Sequence, residues 1–374
     1  MPDDSLNILS IQNKKDWIDF VKFPYRLYKN NPCWVPPILM DYKVLLNPDK
    51  HPFYRHADVQ FFLARKGKKT VGRIAAIVDH SHNKIHEEKT GMFGFFECID
   101  DHSIAKALLS AAQSWLKDRG MKRFRGPLNP SQNEECGLLM DAYDKPPVLL
   151  MPYNPPYYVQ LLEQFGLKKA MDLWAYYIDS ENPPPAKLVR VTESLRKKTK
   201  VIVRPVSMKD FKNEAEKVWY IYNHAWIKNW GFVPMTKPEF DHLAKNLKSA
   251  IIPDLALMAE LDGKPVGFSL TLPDLNQALI HTNGRLFPAG LLKILWYSRK
   301  IDMVRIIIMG VLPEYRNLGI DSLFYIDTWR NAVARNMGRG EMSWILENNT
   351  MMNRAAKMLG AHVYKTYRMY EMKI

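Results

Sequence analysis

The chain has 374 residues and is 47% hydrophobic, ample for two or three globular domains. Its net charge of +14 draws anions, whether nucleic acid, anionic lipid headgroups or the phosphates of a nucleotide cofactor, without choosing among them. No apolar run approaches the roughly 18 residues that span a bilayer, the acidic opening MPDDSLNILS is unlike a signal peptide, and the scattered Cys33, Cys98 and Cys136 suit neither a disulfide set nor a zinc site, so a cytoplasmic protein without metal is expected.

Residues 58–79, DVQFFLARKGKKTVGRIAAIVD, are two apolar runs around a Gly/Lys turn, which predicts a β-hairpin. A strand at 91–98 and a helix at 103–119 follow, joined by FFECIDDHSIAK. The stretch 126–153, dense in Pro, Asn and Gly, reads as a long insertion, either an ordered loop facing substrate or plain packing. Residues 154–178 read as a helix stopped at Gly166 and then a strand. Next comes DSENPPPAKLVRVTESLRKKTK, whose three consecutive prolines exclude regular structure and predict a linker. Its basic run RKKTK reads as the solvated end of a helix.

The second half predicts helices at 208–228 and 237–249, a hairpin at 255–272, a strand at 304–310, a loop at 311–321 and a helix at 322–337. A strand at 341–346, a helix at 350–358 and a closing strand at 362–372 complete it. Two stretches of this half repeat the first. Residues 253–274 align with 58–79, placing Ala259 on Ala64, Val266 on Val71, Gly267 on Gly72 and Asp274 on Asp79. At nearly the same offset 348–372 aligns with 154–178, with Asn348 on Asn154, Gly360 on Gly166 and Tyr370 on Tyr176. Two collinear matches mean tandem copies of one fold. The expected division is an N-terminal domain at 1–180, a linker at 181–200 and a C-terminal domain at 201–374.

The run RIIIMGVLPEYRNLGIDS, residues 305–322, is an apolar strand, a turn with Arg316 and Gly319 three apart, and a helix start. Unpaired N–H groups at such a helix start hold anionic phosphate. The pattern resembles the acyl-CoA-binding turn of the GNAT (Gcn5-related N-acetyltransferase) superfamily, through Val311, Pro313, Arg316 and Gly319; Asp321 stands where that family has a small residue. The order of elements is also that of the family, and its helix running from an asparagine to a glycine eleven residues on is matched by Asn349 and Gly360. The opening motif FPYRLYKNNPCWVPP, with HPFYRHA and YNPPYY, looks like a bacterial group of tandem GNAT proteins, and some proteins of similar appearance are linked to ceramide formation.

The resemblance implies an α/β, or α+β layered, fold with two tandem GNAT-like domains, each a mixed, mostly antiparallel sheet flanked by helices. It further implies transfer of an acyl group from acetyl-CoA or a longer acyl-CoA to an amine, a small molecule or a lipid amine such as a sphingoid base. By resemblance the backbone of Met309, Gly310 and Val311 meets the pantetheine arm. Arg316, Asn317, Leu318, Gly319, Ile320, Asp321 and Ser322 hold the pyrophosphate, with Asn349 beside them. The first copy has no Arg-x-x-Gly turn, and Asp100 and Asp101 there repel a pyrophosphate, so only the second copy is expected to bind cofactor.

The base that accepts the amine proton is a carboxylate, Glu347 or Glu260, each of which can equally serve as a capping or structural acid. The family's tyrosine that protonates the leaving thiolate is absent, since Ala356 stands seven residues beyond Asn349. Tyr364 or Tyr367 replaces it, or the thiolate leaves unassisted, its pKa being near about 8.5. His224, Trp226, Asn229 and Trp230 either line an acceptor pocket or form plain core. The apolar segment LFPAGLLKILWYSRK at 286–300 suits a long apolar substrate, or its residues 289–300 form an amphipathic helix that rests on anionic lipid at the inner face of the membrane, or it packs as a connection between strands. Two rival readings remain open: a Fem-like transferase drawing on aminoacyl-tRNA, and a CoA- or nucleic-acid-binding module without chemistry.

Overall fold

The computed structural model describes residues 5–374. The chain forms two compact units. One holds the residues up to Leu173 with Leu279–Ile294 and Thr366–Ile374; the other holds Trp174–Ala278 and Leu295–Lys365.

The first unit runs β1 (Leu6–Ser10), α1 (Lys14–Leu27), α2 (Leu39–Leu45), β2 (Ala57–Lys66), β3 (Lys69–Asp79), α3 (His80–His86), β4 (Thr90–Cys98), α4 (His102–Lys117) and β5 (Arg123–Gly126). Strands β1 to β4 pair antiparallel, and β5 joins β4 in parallel at Thr90↔Arg123. The apolar spacing of α4 puts Ile104, Leu108, Leu109, Ala112 and Leu116 into a buried core with Ile74, Ala76, Phe93 and Phe124 of the sheet. The insertion is ordered. It forms β6 (Leu128–Asn129), β7 (Glu135–Cys136) and β8 (Leu138–Leu139) ahead of α5 (Tyr157–Gln164), and it buries Leu128, Cys136, Leu138, Leu139, Val148 and Met151. Asn154 holds its middle, accepting from Leu139 N–H at 2.7 Å and donating to the Leu139 carbonyl at 3.2 Å.

Further along come β9 (Lys168–Asp179), α6 (Ala186–Lys198), β10 (Val201–Pro205), α7 (Phe211–Ala225), α8 (Lys237–Leu247), β11 (Ala256–Leu261), β12 (Lys264–Pro273), α9 (Asn276–Leu279), α10 (Gly290–Ser298), β13 (Met303–Val311), α11 (Ile320–Val333), β14 (Arg339–Leu346), α12 (Thr350–Met358) and β15 (His362–Lys373). In the second unit β10 to β13 pair antiparallel, β14 joins β13 in parallel, and the residues of β9 from Trp174 on lie next to β14. Helix α11 is buried on two sides. Ile320, Leu323 and Phe324 meet Val201, Leu257, Ala259 and Val266, while Tyr325 meets Tyr176, Met342, Ile345 and Ala356.

Two features differ from the expected division. Residues 186–198, inside the stretch expected as linker, form α6, which follows the proline run; its Arg196 bonds Asp327 of α11 at 2.6 Å and its Leu195 packs beside Ile320. The closing strands are also shared out differently. The end of β15 pairs with β5 of the first unit, Tyr370↔Gly126 to Lys373↔Arg123, while the later half of β9 belongs to the second. Sequence repeats establish that 154–178 and 348–372 are equivalent, and equivalence does not say which sheet each strand joins.

One ion-pair cluster fixes the outer edge of the second unit. Arg204 of β10 bonds Glu214 of α7 through two nitrogens, at 2.8 and 2.9 Å, and Glu260 of β11 at 2.6 Å. The Arg204 hydrogen bonds, with Lys217 adding to them, hold the Glu214 carboxyl at about 2 against an ordinary 4.5. A folded-state pKa below the unfolded one gives stability that is whole above about 4.5 and is lost as pH falls toward 2. Glu214→Ala is therefore expected to cost about 1.5–3 kcal/mol at neutral pH and much less near pH 3, as read by urea unfolding at the two pH values.

Candidate active site

Strands β13 and β14 pair only from Met303↔Arg339 to Ile306↔Met342 and then part. On its other side β13 stays bonded to β12, but the register slips between Thr271↔Ile306 and Leu270↔Ile308, leaving Ile307 as an extra residue. Such a bulge bends and twists its strand. The stretch Ile307–Val311 therefore offers its β14-facing N–H and C=O groups to a cleft instead of to a strand. Met309, Gly310 and Val311 lie along it.

The turn that follows is a short 3-10 segment, Pro313–Leu318, and then Gly319, whose φ of 68° lies in the left-handed region. Gly319 is the N-cap of α11 and brings no side-chain cap. A Cβ there would be strained and would come within 2.7 Å of Leu195 Cδ2. The N-terminus of α11 thus turns the positive end of the helix dipole toward an anion, with the Asp321 carboxyl lying against the Asp321 and Ser322 N–H groups. Ser322 turns inward, its hydroxyl donating to the Gly319 carbonyl at 2.7 Å. Asn317, Leu318 and Asp321 are exposed around the turn and Ile320 is buried beneath it.

The first copy is built differently at the same place. Asp101 caps α4, its carboxylate accepting from Ser103 N–H at 2.9 Å and Ile104 N–H at 3.3 Å and pairing with Lys66 at 2.9 Å. The Ser103 and Lys66 hydrogen bonds hold its pKa at about 2. A fixed anion of the chain already occupies the helix start that a phosphate would need.

Arg316 does not reach out as a free cation. Its Nη2 donates to the Ala225 carbonyl at the C-terminus of α7 and its Nε to the Val311 carbonyl at 3.4 Å, tying the turn to that helix end. Trp226, next after Ala225, leaves helical geometry and lies on Gly310. A Cβ at Gly310 would sit 2.5 Å from Trp226 Cη2. Gly310→Ala is expected to displace Trp226 and raise the KM for acyl donor about tenfold, with Trp226→Phe in the same chain recovering most of the loss in steady-state kinetics.

Of the other acceptor candidates, His224 is exposed and stacked on Tyr220 at 4.2 Å, its Nδ1 2.7 Å from the Tyr220 carbonyl. Asn229 and Trp230 are half-buried in the turn after Trp226, with Asn229 N–H donating to the Trp226 carbonyl at 2.8 Å. Glu260 is held by Arg204 and Lys217, and the Arg204 hydrogen bond depresses its pKa, which makes it a weak base. Glu347 is half-buried just past β14, and Asn353 Nδ2 donates to its carbonyl at 3.1 Å. Asn349 caps α12, accepting from Met352 N–H at 3.2 Å. Tyr367 is fully buried in the first unit, opposite Leu139.

Tyr364 is in the second unit, half-buried, and its hydroxyl donates to Glu341. Glu341, fully buried, also accepts from Ser343 Oγ. Ser343 in turn receives Arg305, Nε to Oγ at 3.0 Å and Nη2 to the carbonyl at 3.2 Å. Glu341, Ser343 and Arg305 flank the last β13–β14 pair, so a carboxylate, a phenol and a guanidinium meet where the cleft opens. Sequence reading missed Glu341 and Arg305. The available signal was charged residues inside two otherwise apolar strands, RIIIM and GEMSW.

No family model matches the chain. Protein YghO of Escherichia coli K12 is 37% identical over 97% of this chain and 94% of its own length. A protein of Caulobacter vibrioides named bacterial ceramide synthase is 35% identical over 99% of both. Among solved structures, a tandem GNAT protein from the clavulanic acid biosynthesis pathway superposes with a TM-score of 0.56 over 99% of this chain and 98% of that one, at 11% identity. The chain belongs to the family of these two bacterial relatives, and its fold is that of a tandem GNAT protein. The parted strand Met309–Val311 and the glycine-capped helix start of the second unit are the places where the sequence resemblance put an acyl-CoA. The longest helix among the described residues has 16 residues, so they contain no long helical arm of the kind some Fem-like transferases carry. No described helix is long and apolar enough to cross a membrane.

Proposed function

We propose that this GNAT protein is an acyl-CoA-dependent N-acyltransferase whose acceptor is a lipid-like amine of the sphingoid-base class. The observation that carries the donor half is the parting of β13 and β14 beside an α11 N-terminus capped by a glycine alone. The Caulobacter relative's name supports the acceptor half. The first unit, with Asp101 at its helix start, shapes or supports the protein without a donor of its own.

In this reading the α11 N–H groups and the positive helix end take the pyrophosphate, and the Met309–Val311 backbone orients the pantetheine and polarises the thioester carbonyl. The neutral amine nitrogen attacks the carbonyl carbon; the N–C bond forms and the C–S bond breaks. The surplus proton on nitrogen passes to the Tyr364 hydroxyl as that hydroxyl gives its own to Glu341. The sulfur leaves as thiolate, which its ordinary pKa of about 8.5 allows. Burying Glu341 beside Arg305 and Ser343 keeps the carboxylate in one place and away from bulk water.

The test is incubation of the full chain with palmitoyl-CoA or acetyl-CoA and with sphinganine or a short soluble amine, followed by mass spectrometry for the amide and thiol release. Amide from sphinganine and palmitoyl-CoA is the expected result. Amide only from the soluble amine overturns the acceptor half, and no thiol release with any pair overturns both.

A further inference from the structure

Helix α10, Gly290–Ser298, and the loop before it carry a surface that acyl transfer does not call for. Leu291, Leu292, Leu295 and Trp296 are 46, 69, 57 and 59% exposed, and Phe287 is 72% exposed. At about 100° per residue these four helix positions fall within an arc of about 140°, so they make one continuous face. Ile294 and Tyr297 take the opposite side and are half-buried, as is Ser298 at the helix end, and Gly290 is buried. Four large apolar side chains on one nine-residue helix, all facing water, are not the scattered singles that any surface shows.

The segment that carries this face has charge of one sign. Between Asp274 and Asp302 the chain has no acidic residue, and it has Arg285, Lys293, Arg299 and Lys300, all exposed. Lys293 follows the apolar arc directly, and its Nζ donates to the His281 carbonyl at 3.1 Å. Lys300 Nζ lies 5.6 Å from the ring centres of Trp296 and Tyr297. A tryptophan with an ammonium beside it suits the boundary between acyl chains and headgroups, where the ring is half wet and the charge meets phosphate. An apolar protein partner would be met as well by the leucines, but it gives no reason for a segment with four cations and no anion.

We propose that α10 and Phe287 are a docking surface for an anionic lipid bilayer, the apolar face entering the acyl boundary while Arg285, Lys293, Arg299 and Lys300 pair with headgroup phosphates. The surface holds the protein on the membrane from one side without crossing it. It does not depend on what reaction the other residues perform.

The test is co-sedimentation of the full chain with vesicles of phosphatidylglycerol and phosphatidylcholine, against vesicles of phosphatidylcholine alone. The protein is expected to pellet with the anionic vesicles, to prefer them about tenfold and to be released by high salt. Leu292→Glu with Trp296→Glu, and separately Lys293→Glu with Lys300→Glu, are each expected to lower binding about tenfold while circular dichroism stays unchanged. The second pair touches only exposed charges and keeps the proposal testable if the first misfolds. Absence of binding to anionic vesicles, or wild-type binding by the charge-reversed pair, overturns it. So does a wild-type dimer in analytical ultracentrifugation that Leu292→Glu makes monomeric, since the face is then covered by a second copy. No arm reads activity, so its failure leaves the acyltransferase reading standing.

Discussion

Coenzyme A and its acyl thioesters are expected to raise the melting temperature of the protein by several degrees, and Gly319→Glu to cancel the rise. A ligand at about 100 times its Kd stabilises the native state by about 2.7 kcal/mol, and each kcal/mol moves the midpoint of a domain of this size by about 2–4 °C. The substitution acts twice. Gly319 holds a φ of 68° with Leu195 Cδ2 2.7 Å from where a Cβ would stand, so any side chain strains the turn that presents the α11 donors. A carboxylate then sets a like charge against the pyrophosphate, much as Asp101 does at the start of α4. Gly319→Ala separates the two effects. It is expected to lower the midpoint of the free protein by about 2–4 °C while leaving part of the ligand-induced rise. A full ligand-induced rise in Gly319→Glu, measured by differential scanning fluorimetry, would place the donor elsewhere.

Much of this fold was legible because local chemistry and tertiary environment agree. The Gly/Lys turns between apolar runs are hairpins, with Gly67 and Gly263 at positive φ. Asn349 caps the helix it was expected to start, and Gly360 ends it with a φ of 91°. What stayed hidden depends on distant partners. The strand ends of β9 and β15 are told apart by which sheet edge is open to them, and their sequences carry no mark of that. Glu260 and Glu347 drew notice as acids near a strand or helix end, but nothing in the sequence says that Arg204, far away on β10, neutralises Glu260. Glu341 was overlooked for the same reason in reverse. Inside GEMSWIL it reads as one charge in a strand with Ser343 two residues on, and only the fold brings Tyr364 of β15 to its other oxygen.

Glu341→Gln is expected to lower kcat about 10²–10⁴-fold and to leave the KM for acyl-CoA within about threefold. The amide keeps the volume and one acceptor oxygen, so the cleft walls stay in place, but it cannot take the proton that Tyr364 hands on. Two donors, Tyr364 Oη and Ser343 Oγ, point at the carboxylate, and an NH₂ facing one of them leaves a buried mismatch worth about 1–3 kcal/mol of stability. That loss is read separately by urea unfolding. Tyr364→Phe removes the other half of the pair and is expected to cost kcat a similar factor while sparing the carboxylate its full desolvation, since Ser343 still donates. If the two residues move one proton together, the double variant is no slower than the slower single one, because the second change removes a group already disconnected. Independent losses that multiply would mean that Glu341 and Tyr364 act on different steps. A Glu341→Gln enzyme with wild-type kcat and only a lowered unfolding free energy would reduce Glu341 to the acceptor that holds the Ser343 hydroxyl beneath Arg305, and would return the search for the base to Glu347.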